Sequence, residues 1–155
     1  MCRMIWKPHA TVAAVIEQNG RYLLVEERIN GQIQINQPAG HLEQGESLLQ
    51  ACVRETIEEA GMLFRPTHLL GLYQWRAPAN PSSNGTTYLR AAFTGEIEHI
   101  IQDAVLDKGI IGPIWLTPDE ARACAAKHRS PLVMACIDDH LAGLRYPLDT
   151  IRHFS

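Results

Sequence analysis

A run of carboxylates within one short segment is the feature of this sequence with the clearest chemical meaning. Glu55 stands three residues before Glu58 and four before Glu59, so a helix would place all three acids close together. Like charges at these spacings destabilise a helix by about 0.2–0.5 kcal/mol per pair. A solvated face would mix charge signs, but Arg54 is the only cation of this segment. The pattern therefore favours a site that binds a cation over a plain solvent-exposed surface.

The loop before these acids supports the same interpretation. The segment PAGHLEQGE, residues 38–46, contains two glycines and a further acid, Glu46, so it can bring backbone carbonyls to the carboxylates. Such oxygens are ligands of hard cations. Mg²⁺ in particular binds few carboxylates, keeps several waters and is completed by substrate phosphates. The sequence therefore predicts a magnesium site that works on a phosphorylated small molecule.

The acids lie on a predicted helix whose two ends are marked in the sequence. Ser47 and Gln50 form a capping box at its start, and Gly61 suits the position just past its end. At 100° per residue the charged side chains share one arc. The apolar arc opposite consists of Leu49, Cys52, Val53, Thr56, Ile57 and Ala60. We expect the apolar arc to pack on a sheet and the charged arc to face outward.

The remaining elements predict a layered domain. Two apolar runs, 9–18 and 21–28, are joined by Asn19-Gly20, which is a strong hairpin signal. Further strands are predicted over 69–78, 87–97 and 112–117, and helices over 118–128 and 132–144, with Thr117 as an N-cap before Pro118. The tail is predicted as loop. Strands mixed with helices indicate an α/β (α+β) fold.

The acids, glycines and arginine together resemble the Nudix box of the Nudix hydrolase family. The matching positions are Gly40, Glu46, Arg54, Glu55, Glu58, Glu59, Gly61 and Met62. One position departs, because Thr56 stands where a larger aliphatic residue is usual. The resemblance implies a Nudix α/β/α sandwich with a mixed β-sheet. It also implies an enzyme that hydrolyses phosphoanhydride bonds of nucleoside diphosphates linked to another group, with Mg²⁺ or Mn²⁺ as cofactor.

The same resemblance implies roles for the acids of the box. Glu55 and Glu59 are expected to bind the metal, with Glu58 in or beside its coordination shell. The backbone carbonyl of Ala39 or Gly40 is expected to complete the protein's share of the ligands.

Two further roles concern the neighbours of these ligands. Arg54 is expected to orient Glu55 through a bidentate, charge-assisted pair. The general base differs among members of the family. We favour Glu55, and Asp107 and Glu96 remain alternatives.

Segments outside the box resemble the NudJ-type phosphatases, a compact bacterial branch of that family. They include KPHATVAAV, NQPAGHLE, QWRAP and RYPL, and they are spread over almost the whole chain. This resemblance implies release of orthophosphate from nucleoside triphosphates, nucleoside diphosphates and thiamine pyrophosphate-like compounds. Ile35 departs from the branch, because an aromatic residue often occupies its position.

Two other functions are consistent with parts of the sequence. Pro78 follows Met62 by sixteen residues, which is typical of ADP-ribose pyrophosphatases, so a pyrophosphatase of nucleoside diphosphate-X compounds is an alternative. Some proteins of this fold are binding or regulatory modules without catalysis. Such a module would be expected to lose Glu55 or Glu59 first, and both are present.

Substrate contacts are harder to predict than metal ligands. We assign five residues to this role: Arg28, Trp75, Arg76, Arg90 and Asp107. Trp75 lies near a loop, so it is either a core residue or a base-stacking residue. Surface arginines usually contribute little, which is the plain alternative for the three arginines.

Size, charge and cysteine usage set the remaining bounds. The 155 residues predict one domain over 1–155, and a net charge of −3 excludes a global basic field for nucleic acid. No apolar run is long enough to span a bilayer. Four cysteines without metal-like spacing indicate reduced thiols and a cytoplasmic protein. We expect a monomer or weak dimer with a small-molecule substrate, no nucleic-acid partner and no membrane association.

Overall fold

Two four-stranded β-sheets and three α-helices form the part of the chain that the computed structural model describes, residues 2–155. The strands are β1 (His9–Val15), β2 (Glu17–Gln18), β3 (Arg21–Ile29), β4 (Gln32–Asn36), β5 (Ala39–His41), β6 (Met62–Arg76), β7 (Thr87–Ile100) and β8 (Ile110–Leu116). The helices are α1 (Leu48–Ala60), α2 (Pro118–Ala123) and α3 (Leu132–Leu141). Within residues 2–155, no helix combines the length and the apolar character needed to cross a membrane.

The first sheet has the strand order β5-β1-β7-β6. Strands β1 and β7 run parallel, whereas the pairs β1–β5 and β6–β7 are antiparallel, so the predicted mixed sheet is confirmed. His41, Thr11, Arg90 and Tyr73 lie level with one another across the four strands. Because level residues project to the same face of a sheet, this row shares one surface.

The second sheet is antiparallel and is built around β3. Strands β2 and β4 pair with one side of β3, and β8 pairs with the other. The predicted hairpin is confirmed at Asn19-Gly20, where φ is 53° and 79°. Positive φ at both central residues is what this tight turn requires.

Helix α1 has the predicted ends. Ser47 accepts a hydrogen bond from the Gln50 backbone N–H, and the Gln50 side chain accepts one from the Ser47 N–H. Gly61 ends the helix in the left-handed conformation at φ 66°. A Cβ at Gly61 would also lie 2.9 Å from the Ala104 Cβ, so both conformation and space favour glycine there.

The orientation predicted for α1 is only partly correct: Cys52, Thr56 and Ala60 of the apolar arc are buried as expected, but the rest of the prediction fails. The charged arc does not face outward, because Glu55 is only 8% exposed and Glu59 is half-buried. Conversely, Val53 and Ile57 are only half-buried and line an apolar groove of about 520 Å³ on the outer side of the helix. The physical reason is that α1 contacts both sheets, including β1, β5, β6 and β8, so its buried arc is wider than a helix on one sheet would have.

Other elements also differ from the prediction in their boundaries or contacts. Strand β6 begins at Met62 directly after α1, because the whole of 62–76 pairs with β7 in a long hairpin. Helix α2 ends at Ala123, and a separate 3₁₀ turn follows at Ala125–Lys127. The tail is mostly loop as predicted, but Tyr146 exchanges two backbone hydrogen bonds with Leu69 and fixes the tail to β6.

Candidate active site

Three carboxylates meet at the carboxyl-terminal half of α1. One oxygen each from Glu55, Glu58 and Asp107 lies within 4.8 Å of the others. The first two come from the helix, and Asp107 comes from the loop between β7 and β8. The Asp107 backbone N–H donates to the Glu58 carbonyl at 2.9 Å, which ties this loop to the helix. The arrangement concentrates negative charge at one point and suits a divalent cation.

Arg54 connects this cluster to the loop before the helix. Its Nη1 donates to Glu55 Oε1 at 2.9 Å and to Glu58 Oε2 at 3.1 Å. Its Nη2 donates to the His41 carbonyl at 3.0 Å. The bidentate pair, however, is formed with Glu46, at 2.7 and 3.0 Å, and not with Glu55 as the sequence predicted. Arg54 therefore holds Glu55 through one hydrogen bond while Glu46 fixes the guanidinium plane.

Strand β5 packs directly against the acids. A Cβ at Gly40 would lie 2.5 Å from Glu55 Oε2 and still closer to Glu55 Cδ and Oε1, so only glycine allows this approach. One residue earlier, the Ala39 backbone N–H donates to Glu59 Oε1 at 2.8 Å. The backbone of β5 thus supports both carboxylates, and the absence of a side chain at Gly40 determines where Glu55 lies.

Ionising these acids together is costly in the protein. Burial raises the pKa of Glu59 to about 8 and that of Glu55 to about 7. For Glu55, the hydrogen bond from Arg54 opposes this shift, and the charges of Glu58 and Asp107 add to it. The Arg54 hydrogen bond lowers the pKa of Glu46 instead. Buried acids with raised pKa values are those whose ionised form gains most from a bound cation.

A cavity of about 460 Å³ extends from the acids along the first sheet. Glu55 and Glu59 line one part of it. Trp75, Tyr88 and Arg90 also line it, and the two aromatic rings stack with centroids 5.7 Å apart and planes inclined by 19°. The cavity therefore joins an acidic region to a region with aromatic walls and a cation, as a site for a phosphorylated ring compound requires.

Comparison with known proteins identifies the family of this site. The model of the NUDIX domain family matches residues 7–136, a range that includes the acids, Arg54 and Gly40. The chain belongs to the Nudix hydrolase family. As a Nudix hydrolase it is an enzyme that acts on phosphoanhydride bonds of small phosphorylated substrates. Members of the family generally use divalent metal ions, which agrees with the carboxylate cluster.

Individual relatives support the family and the branch. Phosphatase NudJ of Escherichia coli strain K12 is 41% identical over 151 residues, which cover 97% of this chain and 95% of that protein. The solved NUDIX hydrolase from Nitrosomonas europaea is 54% identical with a TM-score of 0.88, and the match covers 96% of this chain and 98% of that one. The MutT NUDIX hydrolase from Burkholderia pseudomallei shares the fold. It is 18% identical with a TM-score of 0.67, and the match covers 86% of this chain and 98% of that one. The predicted resemblance to NudJ-type phosphatases is confirmed.

The structure brings together only some of the predicted substrate contacts. Trp75 and Arg90 line the cavity, and Asp107 lies in the carboxylate cluster. Arg28 and Arg76 are exposed and are not part of the cavity lining. Arg76 donates to the Asn84 carbonyl in the β6–β7 loop at 3.1 Å. Their role as substrate contacts stays a prediction without support from this geometry.

Sequence reasoning also missed one residue of the cavity wall and one buried partner of Arg90. Tyr88, which was not among the predicted substrate contacts, stacks on Trp75 at the cavity wall. Gln37, from the NQPAG segment, is 1% exposed and accepts a hydrogen bond from Arg90. The available signal was a pair of amides, Asn36 and Gln37, at the end of the short strand β4, since buried amides need polar partners. The residue in the aromatic position of the branch, Ile35, is 4% exposed and belongs to the core.

Proposed function

We propose that this Nudix hydrolase removes phosphate from nucleoside triphosphates, nucleoside diphosphates and thiamine pyrophosphate-like compounds, with Mg²⁺ or Mn²⁺ as cofactor. The observation that carries the proposal is the carboxylate cluster of Glu55, Glu58 and Asp107, whose buried member, Glu55, is held by Arg54 and Gly40 at the wall of the cavity. The relative named Phosphatase NudJ supports the reaction class. We further propose that residues 1–155 form a single Nudix domain.

The donor set fits a divalent metal ion. Glu55 and Glu58 would bind it from the cluster that they form with Asp107. Glu59, which lies outside that cluster but lines the same cavity as Glu55, and the carbonyl of Ala39 or Gly40 would complete the protein's share of the ligands. When bound, such an ion neutralises charge on phosphate oxygens and lowers the pKa of a coordinated water. Without a cation the cluster would repel a polyphosphate. The proposal is therefore that activity is absent when a chelator is in excess.

Within the protein, Glu55 is the group best placed to accept a proton. Its carboxylate lines the cavity and is held in place by a hydrogen bond from Arg54, so it lies within reach of a group bound there. Arg54 is a positioning residue, because it donates to Glu55 and at the same time to Glu46 and the His41 carbonyl. Asp107 remains an alternative base, since it lies in the same cluster.

The position of Glu96 argues against it as a base. It is exposed on β7 and pairs with Arg65 on the neighbouring strand β6. It does not line the cavity that contains Glu55 and Glu59. Glu96 therefore offers a matched control for the substitution of Glu55.

The test compares Glu55→Gln with Glu96→Gln in purified protein supplied with Mg²⁺ and GDP. We expect Glu55→Gln to lower kcat by at least about 10²–10⁴-fold, the usual effect of losing a general base, and Glu96→Gln to change it little. Thermal unfolding must show that both variants are folded. Wild-type turnover in Glu55→Gln with an unchanged unfolding curve would refute the role of Glu55.

The alternative activity is hydrolysis of ADP-ribose or another nucleoside diphosphate-X compound. Its sequence signal, Pro78, is exposed just after β6 and does not line the cavity. Comparing kcat/KM for ADP-ribose with that for GDP and thiamine pyrophosphate separates the two activities. We also propose that the protein is cytoplasmic, because its four cysteines are free thiols. A monomer or weak dimer is the oligomeric state that we propose for it.

A further inference from the structure

Arg90 is a buried cation whose partners are all neutral. It lies on β7 and is 5% exposed. Its Nη1 donates to Gln37 Oε1 at 3.0 Å and its Nη2 to Asn36 Oδ1 at 3.0 Å, and the thiol of Cys136 lies 3.8 Å from Nη1. Among residues 2–155, no carboxylate forms an ion pair with this guanidinium.

Burying the Arg90 guanidinium in this way costs free energy unless a ligand or another group interacts with its charge. A buried ion without a counter-ion loses its hydration and gains only neutral hydrogen bonds in return. Within residues 2–155, Nε of Arg90 donates to no acceptor, although arginine carries five N–H donors. Since Arg90 lines the cavity, its remaining donors are available to a ligand there.

The neighbours of Arg90 indicate which part of a ligand it would meet. Tyr88 precedes it by two residues on the same face of β7 and is paired with Trp75 of β6. The Trp75 and Tyr88 rings stack and line the same cavity. A planar ring held against these aromatic side chains would present its edge at the level of Arg90.

The distance between Arg90 and the acids also indicates which part of a ligand Arg90 would contact. Gly40, which touches Glu55, lies on β5, and Arg90 lies two strands away on β7. Two strand spacings are about 10 Å, so the backbone of Arg90 lies about that far from the strand that touches Glu55. If the phosphates occupy the acidic part, the group attached to them extends toward Arg90.

We infer that Arg90 selects substrates whose ring presents a keto oxygen rather than an amino group; this inference rests on the proposed function. Arginine can donate but cannot accept. Guanine offers two neighbouring acceptors, O6 and N7, and uracil offers O4. Adenine and cytosine carry an amino donor at the corresponding position, which would place N–H against N–H. Arg90 therefore favours GDP over ADP and UDP over CDP.

The experiment compares kcat/KM for these four diphosphates in the wild type, in Arg90→Gln and in the control Arg65→Gln. Arg65 is a half-exposed arginine of β6 that pairs with Glu96 and Glu98 outside the cavity. We expect the wild type and the control to prefer each keto substrate by about tenfold, mainly through KM. Glutamine has an acceptor as well as donors, so Arg90→Gln should lose this preference or turn it toward ADP.

Two further measurements separate the other roles of Arg90. The inhibition constant of inorganic tripolyphosphate, which has no ring, should not change in Arg90→Gln. If it rises by the same factor as the KM of all four diphosphates, Arg90 binds phosphate or only supports the fold, and the inference is wrong. Equal kcat/KM for GDP and ADP in the wild type would also overturn it.

Direct binding keeps this inference separate from the proposed function. The affinities of GMP and AMP can be measured by calorimetry with Mg²⁺ whether or not any substrate is hydrolysed. A GMP preference that disappears in Arg90→Gln supports the role of Arg90 even if turnover is absent, in which case only the proposed function fails. If Arg90→Gln does not fold, Arg90→Lys keeps the charge without the planar fork and should still reduce the preference.

Discussion

Gly40→Ala adds one methyl group at the position where β5 touches Glu55. The new Cβ would lie 2.5 Å from Glu55 Oε2, whereas ordinary contacts begin at 3.4 Å. Gly40 does not have a positive φ, so alanine can adopt its backbone conformation. The strain must therefore be relieved by moving the carboxylate, by at least 0.9 Å, which is the difference between those two distances.

A displacement of this size predicts a large loss of activity. Misplacing a catalytic group by about 1 Å can cost about 10²-fold in rate, or about 2.7 kcal/mol of transition-state stabilisation. Arg54 holds the same carboxylate by a hydrogen bond of 2.9 Å, so the movement would also break or bend that contact. We expect kcat to fall by about 100-fold, with a smaller change in KM.

The assay measures orthophosphate release from GDP with saturating Mg²⁺, alongside thermal unfolding. Gly143→Ala is the control, because a Cβ there meets no atom within 4 Å but the residue has a φ of 85°. That variant should lose stability and keep its kcat, whereas Gly40→Ala should lose kcat in a folded protein. Wild-type kcat in Gly40→Ala would show that the position of Glu55 does not limit the reaction, and the reasoning would fail.

Three further predictions concern the same site. Arg54→Lys should lower kcat about tenfold or more, because an ammonium cannot hold Glu46 in a bidentate pair while also donating to Glu55. Full activity in this variant would show that a positive charge is sufficient at this position and that Arg54 does not orient Glu55. In metal-free protein, the raised pKa values of Glu55 (about 7) and Glu59 (about 8) mean that folding opposes their ionisation. Relative to Glu59→Gln, the melting temperature of the wild type should therefore fall as pH rises from about 5 to about 8, and Mg²⁺ should recover the loss at the upper end. The variant is the reference because burial lowers the pKa values of His41, His128 and His140, which makes stability rise over the same range. A difference between the two proteins that does not change with pH in the absence of metal would contradict the pKa assignment. Finally, GTP should release orthophosphate, and GDP should also be a substrate, as expected of a phosphatase. If pyrophosphate is the main first product, quantified without added pyrophosphatase, the enzyme does not remove the terminal phosphate and the prediction is wrong.

Local features of the chain were predictable because short-range physics controls them. The Asn19-Gly20 turn needs two residues that tolerate positive φ, and the structure has them at 53° and 79°. The ends of α1 follow from Ser47 and Gly61, whose capping interactions involve only neighbouring residues. The family could be recognised for the same reason, since its box is a spacing within one loop and one helix.

The orientation of α1 was not predictable in this way. Helical periodicity shows which side chains share a face, but it does not show how many sheets the helix will contact. Because both sheets pack on α1, Glu55 is buried and Glu59 is half-buried. Val53 and Ile57, in contrast, line an apolar groove. Burial by that packing is the largest cause of the raised pKa values of the two acids, and neighbouring carboxylates add to it.

The sequence by itself determined the part of the site that the box contains, which is its acids, Arg54 and Gly40, whereas the tertiary structure decided which distant residues join them. Asp107 joins Glu55 and Glu58 because its loop is fixed to α1 by a backbone hydrogen bond across about fifty residues of chain. Arg90 reaches the cavity because β7 lies between β1 and β6, which also places Tyr88 against Trp75. Strand order and register are set by the combined packing of the whole core, and no local spacing in the sequence records them.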